Sequence, residues 1–202
     1  MKILLSAFEP FGGETINPTQ RILACLPDEL EGVHLVKVSV PVEFDACCAV
    51  VTSAIHREDP DAVIMFGQAG GRDAITPERV AINMDDARMA DNAGNSPQEK
   101  PIDKEGPAAY FSTLPIKAIT EAIQAKGIPA RISNTAGTYV CNHLMYSVLH
   151  ELTMENRQIP AGFVHVPYLI EQIKGKPGVF GMELSDMVEA AEQIVKTVQK
   201  YL

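Results

Sequence analysis

Short apolar runs of strand length alternate with longer amphipathic segments of helical length along most of the chain. Continuous apolar runs are typical of strands buried on both faces, and apolar residues three or four apart are typical of helices. The pattern predicts strands at residues 2–8, 33–41, 62–66, 79–84, 129–134 and 161–166. It predicts helices at residues 17–26, 44–57, 115–126, 138–154 and 184–200. Alternating strands and helices indicate an α/β fold, namely a three-layer αβα sandwich with a largely parallel, twisted central sheet.

Turn and cap residues support several of these boundaries. Asn17 followed by Pro18 is typical of a helix start, and Gly127 follows the end of another helix. Residues 85–112 and 173–182 fit no element, because Asp, Asn, Gly and Pro recur through the first segment and Gly through the second. A loop as long as the first is usually functional or mobile. We expect it to cover either the site or a neighbouring subunit.

Length, charge and cysteine content narrow the class of protein. A chain of 202 residues is enough for one domain, here residues 1–202. The net charge of −9 argues against a nucleic-acid partner. The first apolar run is too short for a signal peptide or membrane span, so we expect a cytoplasmic protein whose four cysteines are reduced. No Cys-x-x-Cys pair, metal-ligand spacing or phosphate loop occurs, so we expect no metal and no cofactor.

Cys141 is the first candidate for chemistry, because it lies at the start of a predicted helix that follows a predicted strand. Unpaired N–H groups and the helix dipole at this position favour a thiolate, the nucleophilic form of cysteine. A cysteine in a helix is more often a buried core residue. The remaining cysteines, Cys25, Cys47 and Cys48, lie in apolar helical patterns and are assigned to packing.

His165 and Glu78 are candidate partners for this thiol. His165 ends a predicted strand and has the residue type of a base that activates a thiol. His143 is a weaker partner, because it lies two residues past Cys141 on the same helix and points elsewhere. A carboxylate such as Glu78 would orient the imidazole, but Asp85, Asp86 and Asp91 are equally eligible by type.

Two phenylalanines form a candidate ligand clamp. Phe8 and Phe11 flank Glu9-Pro10 at the end of the first predicted strand, just before a pair of glycines. Such rings would suit a flat ligand, although most phenylalanines pack in a core.

Four segments resemble one known family, pyroglutamyl-peptidase I, the pyrrolidone-carboxylate peptidases of the cytosol. The most specific are Gly67-x-x-Gly70 with Ile75-Thr76-x-Glu78-Arg79-Val80-Ala81-x-Asn83, and the run from Ser133 to Asn142, SNTAGTYVCN. The opening Phe8-Glu9-Pro10-Phe11-Gly12-Gly13 with Asn17, and Val164-His165-Val166-Pro167, also match. The resemblance extends nearly from end to end of the chain.

The resemblance implies roles for named residues. Glu78, Cys141 and His165 would form a catalytic triad, and Arg88 would lie near the oxyanion site. A pyroglutamyl-ring pocket would be lined by Phe8, Phe11, Asn17, Gln68 and Tyr139. Tyr139 stands where family members often carry Phe. The family also implies a homotetramer.

The expected function is that of a cysteine exopeptidase, which removes an N-terminal pyroglutamyl residue from peptides through a thioester. In this expectation the Cys141 thiolate pairs with His165, and the substrates are peptides rather than nucleic acids or membranes. Two alternatives stay open. One is a non-catalytic ligand-binding module, and the other is an amidase or acyltransferase that uses the same thiol.

Overall fold

A computed structural model describes all 202 residues of the protein. Its strands are β1 (Lys2–Phe8), β2 (Glu29–Leu30), β3 (Val33–Val40), β4 (Ala62–Gln68), β5 (Thr76–Pro77), β6 (Val80–Ile82), β7 (Ala109–Phe111), β8 (Ala161–Val166), β9 (Tyr168–Leu169) and β10 (Gly181–Met182). Its helices are α1 (Pro18–Cys25), α2 (Ala46–Glu58), α3 (Ile116–Gln124), α4 (Val140–Met154) and α5 (Leu184–Gln199), with a short 3-10 helix at Ile170–Ile173.

The central sheet has six strands in the order β2-β3-β1-β4-β8-β5. The four inner strands run parallel, whereas β2 and β5 at the two edges run antiparallel to their neighbours. One apolar cluster packs α1, α3 and α5 on one face, and a second packs α2 and α4 on the other. The predicted α/β sandwich with a largely parallel sheet is therefore confirmed.

Most predicted elements occur within a few residues of their expected bounds. Asn17 caps α1 as predicted, because its side-chain oxygen accepts a hydrogen bond from the Thr19 N–H at 3.0 Å. The strand predicted at 129–134 is wrong, because only isolated bridges pair this segment with residues beside β5. The segment runs parallel to residues 75–79, but Pro77 lacks the N–H that the ladder needs at its centre.

The segment 85–112 is an ordered excursion from a hairpin. β6 and β7 pair antiparallel and form the two arms, so part of the predicted loop, residues 109–111, is a strand. Asp91 organises the excursion, because its two carboxylate oxygens accept hydrogen bonds from the N–H groups of Phe44, Ala93 and Asn95. The excursion is thereby attached to the chain just before α2.

Residues 173–182 lie beside the start of the chain. β10 pairs with β9, and Lys176 forms an ion pair with Glu14 at 2.7 Å.

No helix in the protein combines the length and the apolar character needed to cross a membrane.

The parallel inner strands bring three predicted site segments to one edge of the sheet. β1 ends at Phe8, β4 at Gln68 and β8 at Val166, and α4 begins with Cys141 in its first turn. This edge is where open α/β sheets form their sites.

Candidate active site

Glu78 and His165 form a buried pair. β5 pairs antiparallel with β8, with Thr76 opposite His165, and Glu78 follows β5 directly. The imidazole Nδ1 lies 2.7 Å from Glu78 Oε1, and the exposed fractions of the two residues are 3% and 0%. A carboxylate only accepts hydrogen bonds, so Nδ1 carries the hydrogen and Nε2 is left to accept a proton. Of the acids that residue type left open, Glu78 is the one that contacts His165.

Cys141 lies beside the same pair of strands. Gly67 is in register with His165, and a Cβ at Gly67 would be 3.1 Å from Cys141 Sγ and 2.6 Å from the Phe163 ring. Cβ atoms essentially never come as close as 2.6 Å, so this position requires glycine. The absence of a side chain on Gly67 lets the thiol sit on β4 next to the strand that carries His165. No hydrogen bond joins the thiol to His165 in this structure.

Burial affects the pKa values of both Cys141 and His165. Burial raises the pKa of the Cys141 thiol to about 12, and the nearby Glu78 carboxylate adds to the rise. Burial also lowers the pKa of His165, although its bond to Glu78 opposes the change. Burial of both groups therefore acts against the expected thiolate–imidazolium pair, and the helix end acts in its favour.

Glu78 stays ionised in this buried place. Burial alone would raise its pKa, but the hydrogen bond from His165 and the nearby positive charge of Arg72 lower it overall. Arg72 donates a hydrogen bond to the same carboxylate oxygen that His165 contacts. Arg72 was missed by the sequence reasoning. The available signal was a lone cation in the glycine-rich loop that follows a central strand.

A shallow, narrow pocket opens at Cys141. It is mostly apolar, and its lining includes all five residues predicted to bind the ring. The lining residues are Phe8, Phe11, Asn17, Val42, Gln68, Tyr139, Val140 and Cys141. An apolar cleft with a few polar groups beside a nucleophile is typical of a small-ligand site.

The polar side chains of the pocket have defined partners. Asn17 Nδ2 donates to the Glu9 carbonyl at 3.0 Å, so the α1 cap also fixes the turn between the two phenylalanines. Gln68 Oε1 accepts from Gln172 Nε2 at 2.9 Å, which leaves the Gln68 amide N–H groups for other partners. The hydrogen-bonding capacity of both residues is therefore partly used by the scaffold.

Tyr139 and Arg88 differ in how the structure places them. The Tyr139 hydroxyl donates to the Ala90 carbonyl at 3.1 Å, and its ring lies 6.4 Å from that of Phe11. Arg88 is exposed and does not line the pocket. Its segment is nevertheless fixed beside the start of α4, because Asp86 and Thr138 exchange two hydrogen bonds of 2.8 and 2.9 Å.

The weaker candidates are used elsewhere in the fold. His143 Nδ1 lies 2.8 Å from Asp85 Oδ2, away from the pocket, in agreement with the sequence argument. Cys47 and Cys48 lie in α2 with their sulfur atoms 3.7 Å apart.

Comparisons with known proteins match the whole chain. The family model described as "Pyroglutamyl peptidase" matches residues 1–201. The chain belongs to the pyroglutamyl peptidase family.

Members of the pyroglutamyl peptidase family are similar to this chain along its full length. Pyrrolidone-carboxylate peptidase 1 of Caldanaerobacter subterraneus subsp. tengcongensis is 52% identical over 200 residues, which cover 99% of this chain and 98% of the relative. The crystal structure of pyroglutamyl peptidase I from Bacillus amyloliquefaciens superposes with a TM-score of 0.94 at 42% identity, covering 98% and 97% of the two chains. A mutant pyrrolidone carboxyl peptidase from Pyrococcus furiosus gives 0.95 at 40% identity, covering 100% of both.

Family membership confirms the expected class of activity. Pyroglutamyl peptidases are cysteine peptidases that remove pyroglutamate from the N-terminus of peptides, and this chain spans nearly the whole of its relatives.

Proposed function

We propose that Cys141, His165 and Glu78 remove N-terminal pyroglutamate from peptides through a thioester on Cys141. The observation that carries the proposal is the narrow apolar pocket that has Cys141 in its wall, together with the buried pair of Glu78 and His165, the latter on the strand next to β4. A thiol in the wall of this pocket, close to the base, would serve both binding and chemistry.

The pocket suits a neutral lactam. Pyroglutamate has no free amine, so a site for it needs apolar contact and a few directed hydrogen bonds rather than a carboxylate. Phe8 and Phe11 would pack on the ring, and the free N–H groups of Asn17 and Gln68 would meet its polar edge. Such a site rejects a proline ring, which lacks the carbonyl, because its buried donors would then lack a partner.

The first chemical step starts from the neutral pair. The Cys141 thiol passes its proton to Nε2 of His165 as sulfur attacks the pyroglutamyl carbonyl carbon. Glu78 stabilises the imidazolium that forms and holds its Nδ1–H in place. The tetrahedral intermediate then collapses, His165 gives its proton to the leaving amine, and the shortened peptide departs. A thioester remains on Cys141.

Hydrolysis completes the cycle. His165 takes a proton from water, the hydroxide attacks the thioester, and the sulfur leaves and recovers the proton from His165. Free pyroglutamate is released, and the enzyme returns to its neutral state.

The oxyanion would be held at the start of α4. N–H groups in the first turn of a helix have no partner within the helix, so the Cys141 N–H is available to the developing charge. One such donor is typically worth roughly 10²–10³ in rate. Arg88 is proposed as a second donor, because its segment is bonded to the loop that precedes Cys141.

The oligomeric state and the cellular compartment are also part of the proposal. A homotetramer is proposed from the family resemblance, and large exposed apolar side chains such as Phe111 and Met154, 68% and 71% exposed, support an interface. A reducing cytoplasm is proposed from the four free cysteines.

The function is tested with the aminomethylcoumarin amides of pyroglutamate, proline and glutamine. We expect release from the pyroglutamyl amide alone, and near-complete loss in Cys141→Ser with an unchanged melting temperature. The control is Cys25→Ser, which removes an exposed thiol and leaves activity intact. Activity retained by Cys141→Ser would refute the nucleophile. Turnover of the prolyl or glutaminyl amide would favour the amidase alternative, and no turnover at all would favour a binding module.

A further inference from the structure

Arg72 is the charged group that ties the candidate catalytic residues together. One guanidinium nitrogen donates both to Glu78 Oε1 and to the Thr76 hydroxyl. The other donates to the Thr135 carbonyl at 3.0 Å, in the loop that leads to Cys141. The side chain is mostly sheltered, with 24% of it exposed. One planar cation therefore joins the loop after β4, the acid after β5 and the loop before α4.

Glu78 depends on this contact for its orientation. Its Oε1 accepts hydrogen bonds from both Arg72 and the Nδ1–H of His165. Its Oε2 is buried and has no hydrogen-bond partner. A buried carboxylate with a single bonded oxygen is free to rotate that oxygen away from the imidazole unless a second donor fixes it. Arg72 supplies this donor, and its fork geometry suits a carboxylate and a carbonyl together.

We propose that Arg72 is a positioning residue that holds Glu78 toward His165 and couples this pair to the segment carrying Cys141. The inference rests on the proposed function, because positioning matters for a reaction that uses these three residues. Arg72 touches no reacting atom in this proposal and acts through Glu78.

The guanidinium also affects proton transfer. The charged groups that act on His165 are Glu78 and Arg72, and both also act on Cys141. The Arg72 charge lowers the pKa of His165 and opposes the rise in the pKa of Cys141. The Arg72 charge therefore adds to the larger effect of burial, which favours a neutral His165.

A matched control lies nearby. Arg79 directly follows Glu78, is exposed, and donates to Asn134 Oδ1 at 2.7 Å, so it also reaches the segment before Cys141. It does not contact the Glu78 carboxylate. Arg79→Gln removes one positive charge and a bond to that segment, but leaves the Glu78–His165 pair untouched.

The test compares Arg72→Gln, Arg72→Lys and Arg79→Gln with the natural enzyme. The readouts are kcat/KM for the pyroglutamyl amide against pH, and NMR titration of His165 in histidine-labelled protein. We expect Arg72→Gln to lose roughly 10- to 100-fold in kcat/KM through misplacement of the base. We also expect the pKa of His165 to rise by about one unit in this variant, because a cation near the imidazole is gone. The rise should appear both in the NMR titration and in the acidic half of the kcat/KM profile. Arg72→Lys should restore part of both, and Arg79→Gln should match the natural enzyme.

The outcomes separate this inference from the proposed function. If the acid limb and the His165 titration stay at their natural positions in Arg72→Gln, the inference is wrong. Equal losses in Arg72→Gln and Arg79→Gln would also overturn it. If the natural enzyme does not cleave the pyroglutamyl amide, the proposed function fails, while the NMR titration still decides the role of Arg72. If Arg72→Gln does not fold, Arg72→Lys decides: a fall in kcat at constant KM supports the inference, and an unchanged kcat contradicts it.

Discussion

At the scale of single residues, burial favours the neutral forms of Cys141 and His165. In the proposed mechanism the thiol loses its proton as substrate engages the site, so the enzyme carries no exposed thiolate between turnovers. This state comes from burial, which the position of a cysteine in a sequence does not reveal. It also protects the nucleophile from oxidants, which react with thiolates.

Cys48 is the cysteine that we expect to react with alkylating agents. A hydrogen bond from Cys47 lowers the pKa of Cys48 to about 6 against the effect of burial, and His143 and Ser147 add to the lowering. Cys48 is half-buried at the edge of a groove, whereas Cys47 is fully buried. Treatment with limiting iodoacetamide at pH 7, followed by peptide mass mapping, should therefore label Cys48 before Cys141. Cys48→Ser should keep full peptidase activity, and first labelling at Cys141 would contradict the assigned charges.

The site residues were predictable from sequence to different degrees. Cys141, His165 and Phe8 were found because strand ends in an open α/β sheet converge on one edge. Residue type did not distinguish Glu78 from three aspartates, and only the family resemblance singled it out; in the fold, the register of β5 on β8 brings that acid to His165. Arg72 could not be assigned, because its role depends on contacts with residues up to 63 positions away.

At the scale of elements, the start of α1 connects helix stability with the shape of the pocket. Asn17 accepts hydrogen bonds from Thr19 with its oxygen and donates to the Glu9 carbonyl with its nitrogen. The first contact caps the helix, and the second fixes the turn that carries Phe11. The two roles belong to different atoms and are separable by substitution.

Two substitutions at Asn17 separate these roles. Asn17→Ala should lower the free energy of unfolding by about 1 kcal/mol through loss of the cap. Asn17→Asp keeps the cap oxygen but cannot donate to Glu9, so its stability should stay closer to the natural value. Both variants should raise KM for the pyroglutamyl amide, as measured by steady-state kinetics beside thermal melts. An unchanged KM in Asn17→Asp would show that the bond to Glu9 does not shape the pocket.

Strands and helices differed in how well the hydrophobic pattern located them. Long apolar runs such as residues 2–8 and amphipathic segments such as 184–200 were predicted well, because a single strand or helix covers the whole length of each hydrophobic pattern. Two-residue strands such as β5 leave no periodic signal. Residues 129–134 had the composition of a strand, but Pro77 in the neighbouring segment decided how they pair.

At the scale of the whole molecule, the buried Glu78–His165 pair links stability to pH. The pKa of His165 is lowered in the folded protein from the ordinary histidine value of about 6.5. As pH falls below 6.5, His165 therefore binds a proton in the unfolded chain before it does so in the folded protein. The stabilisation is present above that pH and is lost as pH falls through the folded pKa. The lowered pKa of Glu78 acts in the same direction at lower pH, below its ordinary value of 4.5.

Thermal melts between pH 7.5 and pH 4.5, read by circular dichroism, test this linkage. The melting temperature of the natural protein should fall as pH decreases, and the fall should be shallower in His165→Gln, which cannot take up the proton. His34→Gln, at an exposed histidine, serves as the control and should follow the natural curve. Parallel curves for the natural protein and His165→Gln would contradict the buried neutral state.

The short outer strands have a consequence for how copies of the protein meet in a crowded solution. An open sheet edge with a row of unpaired N–H and C=O groups recruits strands from other chains and starts aggregates. Here one edge is covered by a segment whose ladder is broken at Pro77. At the other edge, β2 pairs only with the first two residues of β3, so the rest of β3 has a partner strand on one side only. Edge-to-edge association with other chains is therefore restricted to this part of β3.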